Sequence, residues 1–196
     1  MTEEPIQPEL KLYRALLEKY ADIINEHERK TIGQLKALVN PENLSIQALL
    51  SDFLPENYSF EQDYLTVLEK VYTYLKNEVQ CIKTDLNINY WMSTEEILQH
   101  QVADDEDIAV LLCACMHALG DKQAFVTIAE LSNLSTHAFV LTEYKDQALL
   151  LDLFQKYEFQ KFFGTKVTVL ENYTFEETAI KQFMYQFNHF EYKQFL

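Results

Sequence analysis

Three residues stand where a nucleophile, a base and an orienting acid would be wanted. Asp105 lies in an acidic stretch that opens an apolar run, His137 heads His-Ala-Phe-Val, and Asp152 sits in Leu-Leu-Asp-Leu. In triad chemistry the attacking group stands at the N-terminus of a buried helix, where the dipole favours its anionic form. A strand histidine takes its proton, and a carboxylate on the next strand fixes the imidazole. Asp105, His137 and Asp152 occur in that order. Each also has a plainer explanation: Asp104, Asp105 and Asp107 would cap and charge-complement a helix, and His137 with Asp152 would form a structural hydrogen-bonded pair. Two carboxylates and an imidazole are also a set that hard divalent ions or non-haem iron accept, so a metal-dependent hydrolase built on these residues is the alternative chemistry.

Other chemistries lack their residues. Gly33, Gly120 and Gly164 are too far apart to build a phosphate cradle, a dinucleotide turn or a GxSxG elbow. His27-Glu28 has no second histidine of an HExxH motif, and Cys113 and Cys115 form only a CxC. No cofactor is therefore expected, and no metal on the leading reading.

The elements that must carry these residues read as helices first and strands afterwards. Leu12, Leu16, Tyr20, Ile23, Ile24 and His27 recur at three- and four-residue steps, which predicts an amphipathic helix over Leu10–His27 whose stripe needs a partner surface. Short helices are expected around Thr31–Val39 and Ser45–Phe53, a long one over Phe60–Val79, an extended stretch over Thr84–Trp91 and a short capped helix opening at Ser93-Thr94-Glu95-Glu96 and running through Leu98. Ile108–Leu119, preceded by four acids and stopped by Gly120, is apolar on most sides and so reads as a buried helix. Strands are expected over Ala124–Ala129, His137–Tyr144, Ala148–Phe154, Lys166–Leu170 and Phe183–Asn188. The order implies an α+β fold with an antiparallel sheet against a buried helix. The best seam lies near Leu54–Tyr58, dividing an N-terminal helical extension (1–57) from the main domain (58–196).

Length and composition set the outer limits. A chain of 196 residues that is 48% hydrophobic can bury a core unaided. Sixteen Lys and Arg against 31 Asp and Glu give a formal charge of −15, which repels phosphate backbones and anionic lipid heads, so no nucleic acid is expected as a partner. No apolar run reaches the roughly 20 residues that span a bilayer, so membrane insertion is not expected. Three cysteines and no signal sequence at Met1–Glu4 point to a reducing, cytoplasmic setting.

The run Trp91-Met92-Ser93-Thr94-Glu95-Glu96-Ile97-Leu98, followed by Ala103-Asp104-Asp105-Glu106-Asp107-Ile108-Ala109-Val110-Leu111-Leu112, resembles the transglutaminase-like cysteine peptidase superfamily. That family's patterns are W-x-[ST]-P-x-E-x-L and G-D-C-x-D-x-A-x-L-L. His137-Ala138-Phe139-Val140 is similar to its H-A-W-V, and Leu150-Leu151-Asp152-Leu153 to its L-L-D-P. The resemblance spans about Tyr64 to Asn188 and implies a papain-like transglutaminase core.

The departures matter as much as the matches. The family's nucleophilic cysteine falls on Asp105, the preceding glycine on Ala103 and the proline after the tryptophan on Thr94. An aspartate is a poor acyl acceptor whose product would be a labile anhydride, and Cys113 lies about 12 Å further along the helix, on its buried face. The resemblance therefore implies the peptidase-like fold with its chemistry removed, Asp105, His137 and Asp152 standing at vestigial triad positions. What remains would be a module that binds a protein or peptide. The 43 residues from Phe154 hold 13 of the 25 Phe and Tyr, and Trp91, Tyr185, Phe187, Phe190 and Tyr192 are the candidate contact residues, since aromatics anchor interfaces.

Overall fold

The computed structural model of the chain describes residues 8–84 and 86–195; the expectation about Met1–Glu4 lies outside them. Helix α1 (Pro8–Glu28) follows the predicted periodicity, and α2 (Ile32–Leu38) and α3 (Leu44–Ser51) come after it. α2 opens on a reciprocal capping box between Thr31 and Gln34, and α3 on the Asn43 side chain. Helix α4 (Phe60–Glu78) buries Tyr64, Val67, Leu68, Val71, Tyr72 and Leu75, one face of a regular amphipathic pattern. The two-residue strands β1 (Gln80–Cys81) and β2 (Val102–Ala103) pair in parallel around the short helix α5 (Thr94–His100). Between them the described residues of the expected extended stretch, 84 and 86–91, are irregular chain.

Helix α6 (Asp105–Ala118) is the centre of the core. The Asp104 side chain caps it by accepting from the Asp107 amide at 2.9 Å, and every residue from Asp107 to His117 is buried. Beyond it Gly120, at φ +102°, turns the chain in a conformation that L side chains rarely adopt. Strands β3 (Phe125–Leu131), β4 (Thr136–Tyr144), β5 (Gln147–Leu151) and β6 (Phe162–Gly164) then form a meander. Helix α7 (Lys166–Asn172), β7 (Thr174–Phe175), β8 (Thr178–Phe187) and β9 (Tyr192–Gln194) complete the chain. The order is β6-β5-β4-β3-β8-β7 with β9 beside β8, all antiparallel, so β8 returns to cover the free edge of β3.

The strand expected at Lys166–Leu170 is a correction: these residues are α7. Their β-branched side chains suggest a strand, but the Thr165 hydroxyl accepts from the Thr168 amide and caps a helix instead. Val39, Ile46 and Leu50 are buried in the same cluster as α4 and α6, whereas α1 buries no residue at all.

The sheet is covered on both faces. One apolar cluster lies between it and helices α3 to α6, and a second, with Phe139, Leu150, Phe162, Val169 and Tyr173, fills the opposite face under α7. Buried Asp121 stitches helix to sheet: it accepts from the Tyr64 hydroxyl of α4 and from Thr142 of β4 (2.7 Å). The result is an α+β fold, a buried helix lying against an antiparallel sheet.

Candidate functional site

Three elements converge at one end of α6. Asp105 is the first helical residue after the Asp104 cap. His137 is the second residue of β4, and Asp152 directly follows β5. The β4/β5 register pairs Val140 with Leu151, so the next step sets Asp152 across from Phe139, diagonal to His137 on the same face.

The imidazole of His137 is held from both sides. Its Nδ1 lies 2.7 Å from Asp105 Oδ2 and its Nε2 3.1 Å from Asp152 Oδ2. Asp105 Oδ2 also accepts from the Ala138 amide at 2.9 Å. Asp152 collects more donors: the Gln155 amide group and the Tyr173 hydroxyl, each at 2.8 Å from Oδ2, and the backbone N–H groups of Phe154 (2.9 Å) and Gln155 (3.3 Å) at Oδ1. The ring of Phe175 stacks on His137 with centroids 3.6 Å apart, and Phe154 meets it edge-on. His137 and the Asp152 side chain are each 1% exposed against 26% for the Asp105 side chain, so an outside molecule reaches the group through Asp105.

The electrostatics follow from this enclosure. Burial alone would lower the His137 pKa, but the hydrogen bonds and charges of Asp105 and Asp152 outweigh it and raise the value to about 8. Burial likewise works to raise the Asp152 carboxyl, and the His137, Gln155 and Tyr173 donors overcome it, holding the acid below its ordinary range. The acids around the start of α6 behave in the opposite way. Burial, then neighbouring negative charge, pushes Glu106 and Asp107 each up to about 8, although Asp107 accepts from the Met92 amide at 2.9 Å. Several of the formal negative charges here are thus proton-bearing near neutrality.

The structure brings Asp105, His137 and Asp152 together. It does not gather the aromatic candidates into an exposed cluster. Phe187 is fully buried, Trp91 packs its ring against it at 5.9 Å, and Tyr185 stacks on Tyr192 at 5.7 Å with both half-buried. Of the five, Phe190 alone is broadly exposed. The cause is the β8–β9 pairing, which folds these rings onto the sheet instead of presenting them outward.

Sequence reasoning passed over Gln155, Tyr173 and Phe175, which complete the shell around His137 and Asp152. Gln155 carried a weak signal, its three-residue spacing from Asp152; Tyr173, which ends α7, and Phe175 of β7 carried none, because they return to the site from about twenty residues downstream. Cys113 and Cys115 are fully buried, and burial raises the Cys115 thiol to about 12. Half-buried Cys81 is raised to about 11, again by burial first. Beside the group, α1 and the irregular chain before α5 enclose an apolar groove of about 390 Å³, walled by Leu17, Ile24, Ile82 and Met92, with Asp104 and Asp107 also lining it.

Among known proteins, the family described as CEP76 peptidase-like domain matches residues 89–182, the span that holds Asp105, His137 and Asp152. No curated protein sequence matches the chain. Among solved structures, LapG of Legionella pneumophila is 15% identical with a TM-score of 0.54, covering 92% of this chain and 87% of that one. Its EGTA-treated and calcium-bound forms match with the same TM-score and identity, at 84% and 87% of their own lengths. The chain is similar to these proteins in architecture, and its fold is of the transglutaminase-like, papain-like peptidase type.

Proposed function

We propose that this chain is a peptidase-like domain without peptidase chemistry, which acts by binding a protein or peptide. The observation that carries the reading is that both nitrogens of His137 are engaged by carboxylates. A general base needs a lone pair facing the nucleophile, and an imidazole that donates to Asp105 and Asp152 offers none. Asp105 is itself tied down by two donors on one oxygen, and no thiol stands at its position.

The same hydrogen bonds weigh against the metal-dependent alternative, since an imidazole binds a metal through a free nitrogen lone pair. Binding, by contrast, needs only a surface. The groove beside the group is apolar along its walls, with the carboxyl groups of Asp104 and Asp107 as its polar points, a combination that suits an extended segment with apolar side chains and a few hydrogen-bonding groups.

The test has two arms. Wild-type protein and Asp105→Cys are assayed on peptide and glutamine substrates, and a peptide library is displayed against wild type and Ile82→Glu, which puts a charge in the groove wall. The expected result is no turnover by the wild type, with enriched peptides that bind it and lose Ile82→Glu. Wild-type turnover that disappears in His137→Phe would overturn the reading.

A further inference from the structure

Helix α1 is fastened near its own end. Every residue from Pro8 to Tyr20 is exposed, and the half-buried ones, Ala21, Ile24, Asn25 and Glu28, lie in the last two turns. Asn25 ties the helix down there twice, donating to the Asn87 carbonyl at 2.9 Å and accepting from the Asn89 backbone N–H at 2.7 Å. Beyond Glu28 only Arg29 and Lys30 separate α1 from Thr31, whose capping box commits it to α2. The tie thus sits three residues from a two-residue joint, and the exposed arm from Pro8 to Tyr20 reaches about 20 Å.

The groove lies between this helix and the chain before α5. Leu17 and Ile24 wall it from α1, and Ile82, Thr84, Leu86, Ile88, Tyr90 and Met92 wall it from the irregular chain. Those six are every second residue, the period of an extended chain with one face turned inward. Among the described residues, the hydrogen bonds made by the backbone of 86–91 are the two at Asn87 and Asn89, and both go to Asn25. A C=O and the N–H two residues further on are the pair that one residue of a neighbouring parallel strand engages. Asn25 therefore stands where a strand would.

We propose that α1 is a strap that opens and closes over the groove about the Arg29–Lys30 joint, with Asn25 as the latch that holds it shut. An extended peptide pairing with residues 86–91 needs the Asn87 and Asn89 groups that the latch occupies, so the closed strap and the peptide compete. That the strap governs peptide binding rests on the function proposed above; its opening does not. Little opposes the opening, since α1 buries no residue and the latch is two hydrogen bonds at a partly exposed site.

Opening and binding are read separately. Val102 lines the groove and is half-buried. Val102→Cys is labelled with a polyethylene-glycol maleimide, too bulky for a groove of about 390 Å³, and the labelled site is located by peptide mapping, so the rate follows the open fraction. Met92→Cys, which also lines the groove, is a second reporter. Adding Asn25→Ala should raise the labelling rate roughly ten-fold or more, the effect of losing two modest hydrogen bonds, while Asp22→Ala, at an exposed position of α1, should leave it unchanged. Peptides enriched by the display described above should bind Asn25→Ala more tightly by about the same factor, because the binding-competent fraction is what has changed. A labelling rate that Asn25→Ala leaves unchanged at both reporters would overturn the latch. Faster labelling with no gain in peptide affinity would overturn the competition. If the display enriches no peptide, the function proposed above falls, and the strap still stands or falls on the labelling rate.

Discussion

His137 is a cation clamped between two carboxylates at neutral pH, and its ionisation is coupled to stability. The folded pKa of about 8 lies above the ordinary 6.5, so the stabilisation is complete below about pH 6.5 and fades as pH rises through 8; the difference amounts to about 2 kcal/mol. Asp152 runs the other way. Its acid is held below the ordinary value, so its contribution is present above about pH 4 and is lost as pH falls through the lowered pKa. Glu106 and Asp107, raised to about 8, also lose folded-state stability as pH rises from the ordinary carboxyl range towards 8, so urea unfolding should show stability falling across neutral pH, and falling less steeply between pH 6.5 and 8 in His137→Phe. Following His137 by NMR, Asp105→Asn should bring its pKa down, because it removes one of the two charges that raise it. The Asp105→Cys variant should alkylate with iodoacetamide faster at position 105 than at Cys81, Cys113 or Cys115, whose thiols burial raises. It should still show no turnover, because nucleophile, base and oxyanion donors act as a unit.

Gly120 ends α6 at φ +102°, and a side chain there would strain the backbone and bring a Cβ to 3.3 Å from the Phe60 ring of α4. Gly120→Ala should cost about 1–2 kcal/mol, read as a lowered denaturation midpoint, while the exposed Gly33 in α2 should accept alanine with no loss. The long elements were legible because their signal repeats. Helices α1, α4 and α6 show several turns of 3.6-residue periodicity, and β3, β4, β5 and β8 carry enough apolar and β-branched residues to read as strands. β1, β2, β6, β7 and β9 span two or three residues, too few for any period, and exist because partner strands offer them hydrogen bonds. α7 was misread because local capping by Thr165 outweighed the strand preference of its valines and threonine. The meeting of Asp105, His137 and Asp152 was readable from the order of one helix terminus and two strand ends; the stacking of Phe175 on His137 was not, since it depends on how β7 folds back.

At the scale of the molecule, the core from α2 onward is continuous, and α1 is an appendage held by Asn25 and a groove wall. Removing residues 1–28 should therefore move the melting temperature by no more than about 3 °C, the shift that about 1 kcal/mol produces at this length. A larger drop in the isolated chain would show that α1 belongs to the core. The strand order has a different consequence, in time. β3 is paired by β4 almost as soon as it is made, but its other edge waits for β8, which begins 47 residues after β3 ends (178 − 131). At ordinary rates of synthesis that is a delay of roughly 2–10 s. Throughout it the nascent chain presents the apolar edge Phe-Val-Thr-Ile-Ala-Glu-Leu, which offers a template for any neighbouring strand. A ribosome that stalls or a stop codon that falls before Thr178 would thus release not a smaller folded domain but a fragment whose β3 edge has no partner strand and is open to aggregation.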